Sequence, residues 1–217
     1  MKDEAIFGSS ATGEKRTVRI LDLGCGSGES TILLSEKTSC RIFAGDISEE
    51  ALNKAIMLTK LNKNIDLIKL DVYSLPFRDN SFDIVVSYGY GSVASYKGAQ
   101  SEVGRILKPN GIAIIDFRNL SLYELLRPYK LIKYYKRYKQ GEFRMYHFGK
   151  IGIAEEFRKG GLELKKTENF NTFPPISKHI PSKVYIVFEY TIGRILRPLL
   201  ARVFLAKFVK ETVTIEQ

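Results

Sequence analysis

The sequence predicts an α/β fold in which a doubly wound, mostly parallel sheet carries helices on both faces. Three observations predict it. Apolar runs of four to six residues alternate with segments of helical periodicity between residues 18 and 117. The fourth run, Phe82–Ser87, is apolar almost throughout, as a strand covered on both faces must be. The spacing leaves room for a helix between successive strands, which makes the connections right-handed crossovers.

The elements follow in order. Residues 1–16 form a polar arm with Gly8 and Gly13. Val18–Leu23 reads as a buried strand that runs into Gly24-Cys25-Gly26-Ser27-Gly28. Glu29–Lys37 has Ile32, Leu33 and Glu36 at helical spacing. Arg41–Ala44 is a second strand ending at Gly45-Asp46. Ser48 is an N-cap, with Glu49 and Glu50 in the first turn of a helix reaching Leu61. Ile65–Leu70 is a third strand, closed by Asp71, and Phe82–Ser87 a fourth. Gln100–Leu107 is helical and stops at the turn signal Lys108-Pro109-Asn110-Gly111, before a fifth strand, Ile112–Phe117. Leu120–Lys139 has helical character broken at Pro128, and Ala154–Lys159 is a short helix. Leu162–Phe170 is a strand, Asn171–Ser182 a loop with three prolines, Lys183–Leu196 a helix and Ala201–Lys210 a last strand.

A chain of 217 residues buries about 70–75% of its unfolded surface and needs no disulfide or metal staple. With 44% hydrophobic and 27% charged residues it is not a disordered chain. Two cysteines make neither a disulfide framework nor a four-ligand zinc site, and no metal is expected. A reduced, cytoplasmic setting is expected. The start, Met-Lys-Asp-Glu, lacks the apolar core of a signal peptide. The most apolar long window, Val184–Ala206, contains Glu189, Arg194, Arg197 and Arg202, and one charge at mid-bilayer costs ~2.5–3.5 kcal/mol.

The net charge of +10 is unevenly placed. Residues 1–127 carry 16 basic and 16 acidic side chains, and residues 151–170 carry 4 of each. Residues 128–150 carry 7 basic and 1 acidic, and residues 171–217 carry 7 and 3. An electroneutral front half with basic attachments points to an anionic partner or to a merely basic surface.

The chemistry centres on Leu-Asp-Leu-Gly-Cys-Gly-Ser-Gly at residues 21–28. A glycine turn between a first strand and its helix lets backbone approach a ligand closely. Two readings compete. The dinucleotide fingerprint needs a third glycine where this chain has Glu29, a poor neighbour for pyrophosphate. No Gly-x-x-x-x-Gly-Lys-Ser/Thr loop exists. The other reading uses three carboxylates. Asp22 precedes the turn, Asp46 ends the second strand where a ribose diol would be gripped, and Asp71 ends the third where a purine amino group could be read. That set suits a nucleoside carrying an ammonium and a sulfonium.

These segments resemble the class I S-adenosylmethionine-dependent methyltransferases, and most closely the broad group that contains the ubiquinone and menaquinone biosynthesis enzymes. The matching runs are Asp22–Gly28, Gly45–Ser48, Leu70–Ser87 and Arg105–Gly111, in order and register across residues 17–120. The resemblance implies a Rossmann-like, seven-stranded sheet with an antiparallel last strand. It implies one domain over residues 1–217: a cofactor-binding core at 17–120, a basic aromatic insertion or lid at 121–160, and C-terminal strands with an inserted helix at 161–217. It implies that Asp22 and the backbone of Gly24, Cys25, Gly26 and Gly28 hold the methionine moiety of S-adenosyl-L-methionine. Asp46 would accept from the ribose hydroxyls and Ile47 would pack on adenine. Asp71 would accept from the adenine amino group, Val72 would offer its amide, and Ser87 would face the methionine end through its carbonyl. Cys25 reads as a small filler.

Two departures bear on the acceptor. Only about 16 residues precede the first strand, where relatives carry helices that close the site, and Tyr88-Gly89-Tyr90-Gly91-Ser92 replaces the usual run after the fourth strand. No Asn-Pro-Pro-Tyr-like run or nearby cysteine supports adenine-N6 or 5-methylcytosine chemistry. Candidates for the acceptor pocket are Tyr88, Tyr90, Tyr146 and His147, against packing roles for the tyrosines and a surface role for His147. His179 reads as structural or exposed. Residues 128–150 interleave five tyrosines and two phenylalanines with seven basic residues. That suits RNA, an anionic membrane surface, or a lid over an amphiphilic substrate. The expected activity is methyl transfer to a small, apolar or lipid-like acceptor in the cytoplasm or at the membrane periphery. The alternatives are an RNA methyltransferase and a cofactor-binding protein without transfer activity. The oligomeric state is left open.

Overall fold

The fold was analysed in a computed structural model, which describes residues 17–88, 98–118, 132, 149–170 and 203–212. The elements in chain order are β1 (Arg19–Leu23), α1 (Glu29–Lys37), β2 (Arg41–Asp46), α2 (Glu49–Thr59), β3 (Ile65–Lys69), β4 (Phe82–Ser87), α3 (Ala99–Ile106), β5 (Leu107–Arg118), α4 (Gly149–Arg158), β6 (Leu162–Phe170) and β7 (Val203–Lys210). They form one seven-stranded sheet in the order β3-β2-β1-β4-β5-β7-β6. The first five strands are parallel to one another, and β7 runs antiparallel to both β5 and β6. Chain order reverses between β1 and β4, so a switch point opens at their carboxyl ends, where α/β sheets bind ligands.

Alternation along each strand divides the core between two faces. On one, Ile20, Ile42 and Val86 pack with Leu34 of α1, and Ala44 with Leu52 of α2. On the other, Leu21, Leu23, Val85 and Ile115 pack with Val103 and Ile106 of α3 and with Ile153 and Phe157 of α4. Phe157 stacks on Phe208 of β7 at 4.3 Å, and Phe117 on Phe204 at 5.4 Å. Fully burying one such ring contributes about 1.5–3 kcal/mol.

Two boundaries differ from the sequence reading. Lys108–Gly111, expected as a turn before the fifth strand, lies inside β5. The pairing jumps from Phe82↔Leu107 to Ile84↔Ile112, so the extra residues bulge outward, with Asn110 at φ 61°. The turn chemistry is present, but it bulges the strand rather than preceding it. Residues 149–158, counted with the insertion, form α4, because Ile153 and Phe157 supply a core face. The expected helices at 120–139 and 183–196, the loop at 171–182 and the polar arm lie outside the described residues.

A salt-bridged clamp fixes the approach to β4. Arg105 of α3 donates to Glu102, Asp79 and the carbonyls of Leu75 and Phe77, while Glu102 accepts from the Leu75 N–H. This clamp is the role the structure gives to Arg105 in the matching run Arg105–Gly111.

Candidate functional site

Gly24, Gly26 and Gly28 all have positive φ, at 79°, 56° and 87°, which a side chain makes costly. The turn is tied to β2: the Gly24 and Cys25 N–H groups both donate to the Gly45 carbonyl, at 2.8 and 3.0 Å. A side chain on Gly45 would collide with Leu70 at 2.2 Å, so the turn needs glycine on both sides. At Gly28 a Cβ would lie 3.1 Å from that of Ala55, so this glycine lets α1 and α2 pack closely. At Gly26 a Cβ would meet no atom within 4 Å; its backbone faces open space.

Three carboxylates lie at or just past the carboxyl ends of β1, β2 and β3, and Asp46 among them contacts Gly26. Asp22 is 1% exposed. Its Oδ2 accepts from Thr31 Oγ1 at 2.7 Å and Ser30 Oγ at 3.2 Å, while its buried Oδ1 has no partner. Burial pushes the Asp22 carboxyl above the usual range; the Thr31 and Ser30 hydroxyls pull it back and the Asp46 charge adds to the rise. Asp46 accepts from the Gly26 N–H through Oδ2 and from the Ser48 N–H through Oδ1, both at 2.9 Å. It thereby shapes the turn, a role that sequence spacing did not disclose. Asp71, exposed, accepts from the Tyr73 N–H at 3.0 Å, and Val72 beside it is buried. Ile47 is 62% exposed, on the rim between Asp46 and the N-terminus of α2.

Ser87 is fully buried, and its hydroxyl donates to the Leu23 carbonyl at 2.6 Å, locking β4 to β1 at the switch point. Burial pushes the Cys25 thiol up to about 12, helped by the Asp22 and Asp46 charges, so it is no nucleophile at neutral pH. Tyr88 is half-exposed just beyond β4, its phenol raised by burial and then by the charges of Asp22 and Asp116. Asp116, which the sequence reading did not single out, is one acid in the apolar run Ile114-Ile115-Asp116-Phe117, 4% exposed. That lone charge was the available signal. Tyr90, Tyr146, His147, His179 and residues 128–148 as a basic aromatic segment lie outside the described residues, Ile132 excepted. Among the described residues no cluster of three or more His, Cys, Asp or Glu is placed to hold a metal ion.

The donor set fits a cofactor with a cationic amino acid end and a ribose. The orphaned Asp22 oxygen wants a donor, the Gly26 backbone leaves room, and carboxylates accept more than one hydrogen bond per oxygen.

Residues 21–115 match a family model described as a methyltransferase domain. The demethylmenaquinone methyltransferase of Staphylococcus aureus (strain MRSA252) is 35% identical over 105 residues, 47% of this chain and 44% of that protein. That of Staphylococcus carnosus (strain TM300) is 37% identical over 103 residues, 46% and 43% of the two chains. The match thus spans under half the length of these curated relatives. Phosphoethanolamine N-methyltransferase 2 of Haemonchus contortus, solved with S-adenosyl-L-methionine, superposes with a TM-score of 0.60 at 19% identity, over 92% of this chain and 50% of that one. The [4+2]-cyclase SpnF superposes at 0.61 and 18% identity, over 90% and 76%. The last two likenesses concern the fold, which hosts more than one chemistry.

Proposed function

We propose that this chain, whose residues 21–115 match a methyltransferase-domain model, is a class I S-adenosylmethionine-dependent methyltransferase that transfers the methyl group of that cofactor to a small, apolar or lipid-like acceptor such as a quinone or polyprenyl-linked ring. The observation that carries the reading is the glycine turn at the switch point, open at Gly26, with Asp22, Asp46 and Asp71 at the carboxyl ends of three adjacent strands.

The cofactor supplies an activated methyl on a sulfonium; the protein's part is to bind, orient and desolvate. Asp22 offers its unpartnered oxygen to the ammonium, and the amides of the turn line the methionine end. Asp46, held by Gly26 and Ser48, turns its remaining lone pairs to the ribose. Ile47 lies under the adenine, and Asp71 with Val72 reads its edge. Tyr88 stands at the methyl end, with Tyr90, Tyr146 and His147 as the other acceptor-side groups. The likeness to the demethylmenaquinone methyltransferases over 105 residues supports the quinone class. No helix among the described residues is long and apolar enough to cross a membrane, so an apolar acceptor would be reached from the membrane periphery, with residues 128–150 as the attaching surface.

The test is transfer of a labelled methyl group from S-adenosylmethionine to total lipid extract and to total RNA, each at two salt concentrations. Label in lipid, insensitive to salt, supports the reading. Label in RNA that falls steeply with salt assigns the basic segment to nucleic acid instead. Cofactor binding with no label in either fraction would point to a binding protein.

A further inference from the structure

Near the carboxyl end of β5 the chain carries a buried acid, Asp116, that the proposed cofactor-binding set does not use. In the sheet, Asp22 pairs with Val86, and Val86 with Ile114. Paired residues share a face, and so do residues two apart on one strand. Asp22, Tyr88 and Asp116 therefore occupy one face, at the carboxyl ends of β1, β4 and β5, with Tyr88 one residue beyond the last rung, Ser87↔Ile115. From β7, Leu205 pairs with Asp116, and Lys207 stands one same-face step further back, opposite Ile114. Asp116 is 4% exposed and Asp22 1%, so both charges act through protein rather than water. A second observation marks this end as a ligand site: the Asp22 Oδ1 is buried without a partner.

We propose that Asp116 is a specificity-determining residue of the cofactor site, whose carboxylate, with that of Asp22, favours the cationic sulfonium of S-adenosylmethionine over the neutral sulfide of the product. The proposal rests on the methyltransferase reading. In the transfer, the sulfur–methyl bond breaks with its electron pair left on sulfur, and a bond forms between methyl and the acceptor nucleophile. The sulfur loses its positive charge, and any acceptor proton leaves to solvent. Only the substrate form gains from nearby carboxylates. The product is then released as its charge disappears. Burial raises the Tyr88 phenol most, and the charges of Asp22 and Asp116 add to it, in keeping with the shared face.

The test is calorimetric titration of S-adenosylmethionine and S-adenosylhomocysteine into wild type, Asp116→Asn, Asp116→Leu and Asp116→Glu. Wild type is expected to bind the sulfonium form more tightly than the sulfide. Removing the charge should weaken the sulfonium form on the order of tenfold, the scale of one unit-charge attraction in a partly screened site. The sulfide should stay within about twofold, and Asp116→Glu should restore the preference. Equal losses for both ligands, or no loss for either, overturn the proposal. So does a wild type that prefers the sulfide, which decides the matter even if the uncharged variants fail to fold. A wild type that binds neither ligand would instead refute the methyltransferase reading itself.

Discussion

Burial holds the Asp22 carboxyl above its ordinary range, and the sign of its effect on stability follows. An acid raised in the folded state favours folding below its unfolded value, about pH 3.9, and that contribution is lost as pH rises through the folded value. Above that range the desolvated Asp22 carboxylate costs the unliganded fold stability. Asp22→Asn keeps side-chain atoms that can meet Thr31 and Ser30 but removes the desolvated charge. The unliganded variant should melt higher than wild type at pH 7, by ~2–4 °C for each kcal/mol relieved. The gap should close below about pH 4, and cofactor affinity should fall. A variant that melts lower at pH 7 in a thermal scan would contradict this. Asp46 works in the other direction, since it orders the turn through Gly26 and Ser48 and is the proposed partner of the ribose. At ~1.5–3 kcal/mol per hydrogen bond to a charged group, Asp46→Ala should bind S-adenosylmethionine at least about tenfold more weakly. Unchanged affinity in a folded variant would remove Asp46 from the site.

At the scale of elements, α3 and the α4–β6 turn meet backbone to backbone. A Cβ on Gly104 would stand 1.9 Å from the Gly160 carbonyl oxygen, and one on Gly160 would stand 2.4 Å from that of Gln100. Gly104→Ala should therefore destabilise by about 1–3 kcal/mol or more. It should leave cofactor affinity in the surviving folded fraction unchanged, because α3 packs on the face opposite α1 and Asp22. Denaturant melts and calorimetry on one preparation check both halves. These glycines also show what a sequence reveals. The strands β1 to β4 and helices α1 and α2 were legible because periodicity and caps are local signals, as in Ser48 accepting from the Ala51 N–H. The bulge at Lys108–Gly111 was legible as a turn but not as part of a strand, since only the pairing with β4 decides that. The early start of α4 depended on the aromatic cluster around Phe157, which is tertiary. The position of Asp46 at the end of β2 was legible, its grip on Gly26 was not, and Asp116 was not singled out because one acid in an apolar run gives no spacing to read.

At the scale of the molecule, an electroneutral front half meets basic attachments, with seven basic residues and one acidic between residues 128 and 150. If this segment serves the acceptor, changing Lys133, Lys136, Arg137 and Lys139 together to neutral residues should leave cofactor affinity nearly intact. It should impair acceptor use or retention on vesicles containing anionic lipid, where each cation contributes about 1 kcal/mol near the surface. Vesicle sedimentation of wild type and variant reads this, and equal retention with equal transfer would separate the segment from the acceptor. The binding expectations depend on one claim: the open glycine turn at the switch point is where S-adenosylmethionine binds. The measurement that tests it most directly is calorimetric titration of that cofactor into wild type and Gly26→Val, with circular dichroism to show that the variant is folded. Gly26 has φ +56° and open space beside it, so valine would strain the turn and fill the cradle. Saturable binding to wild type and none to folded Gly26→Val is the predicted result; a folded variant that binds as tightly as wild type would contradict it.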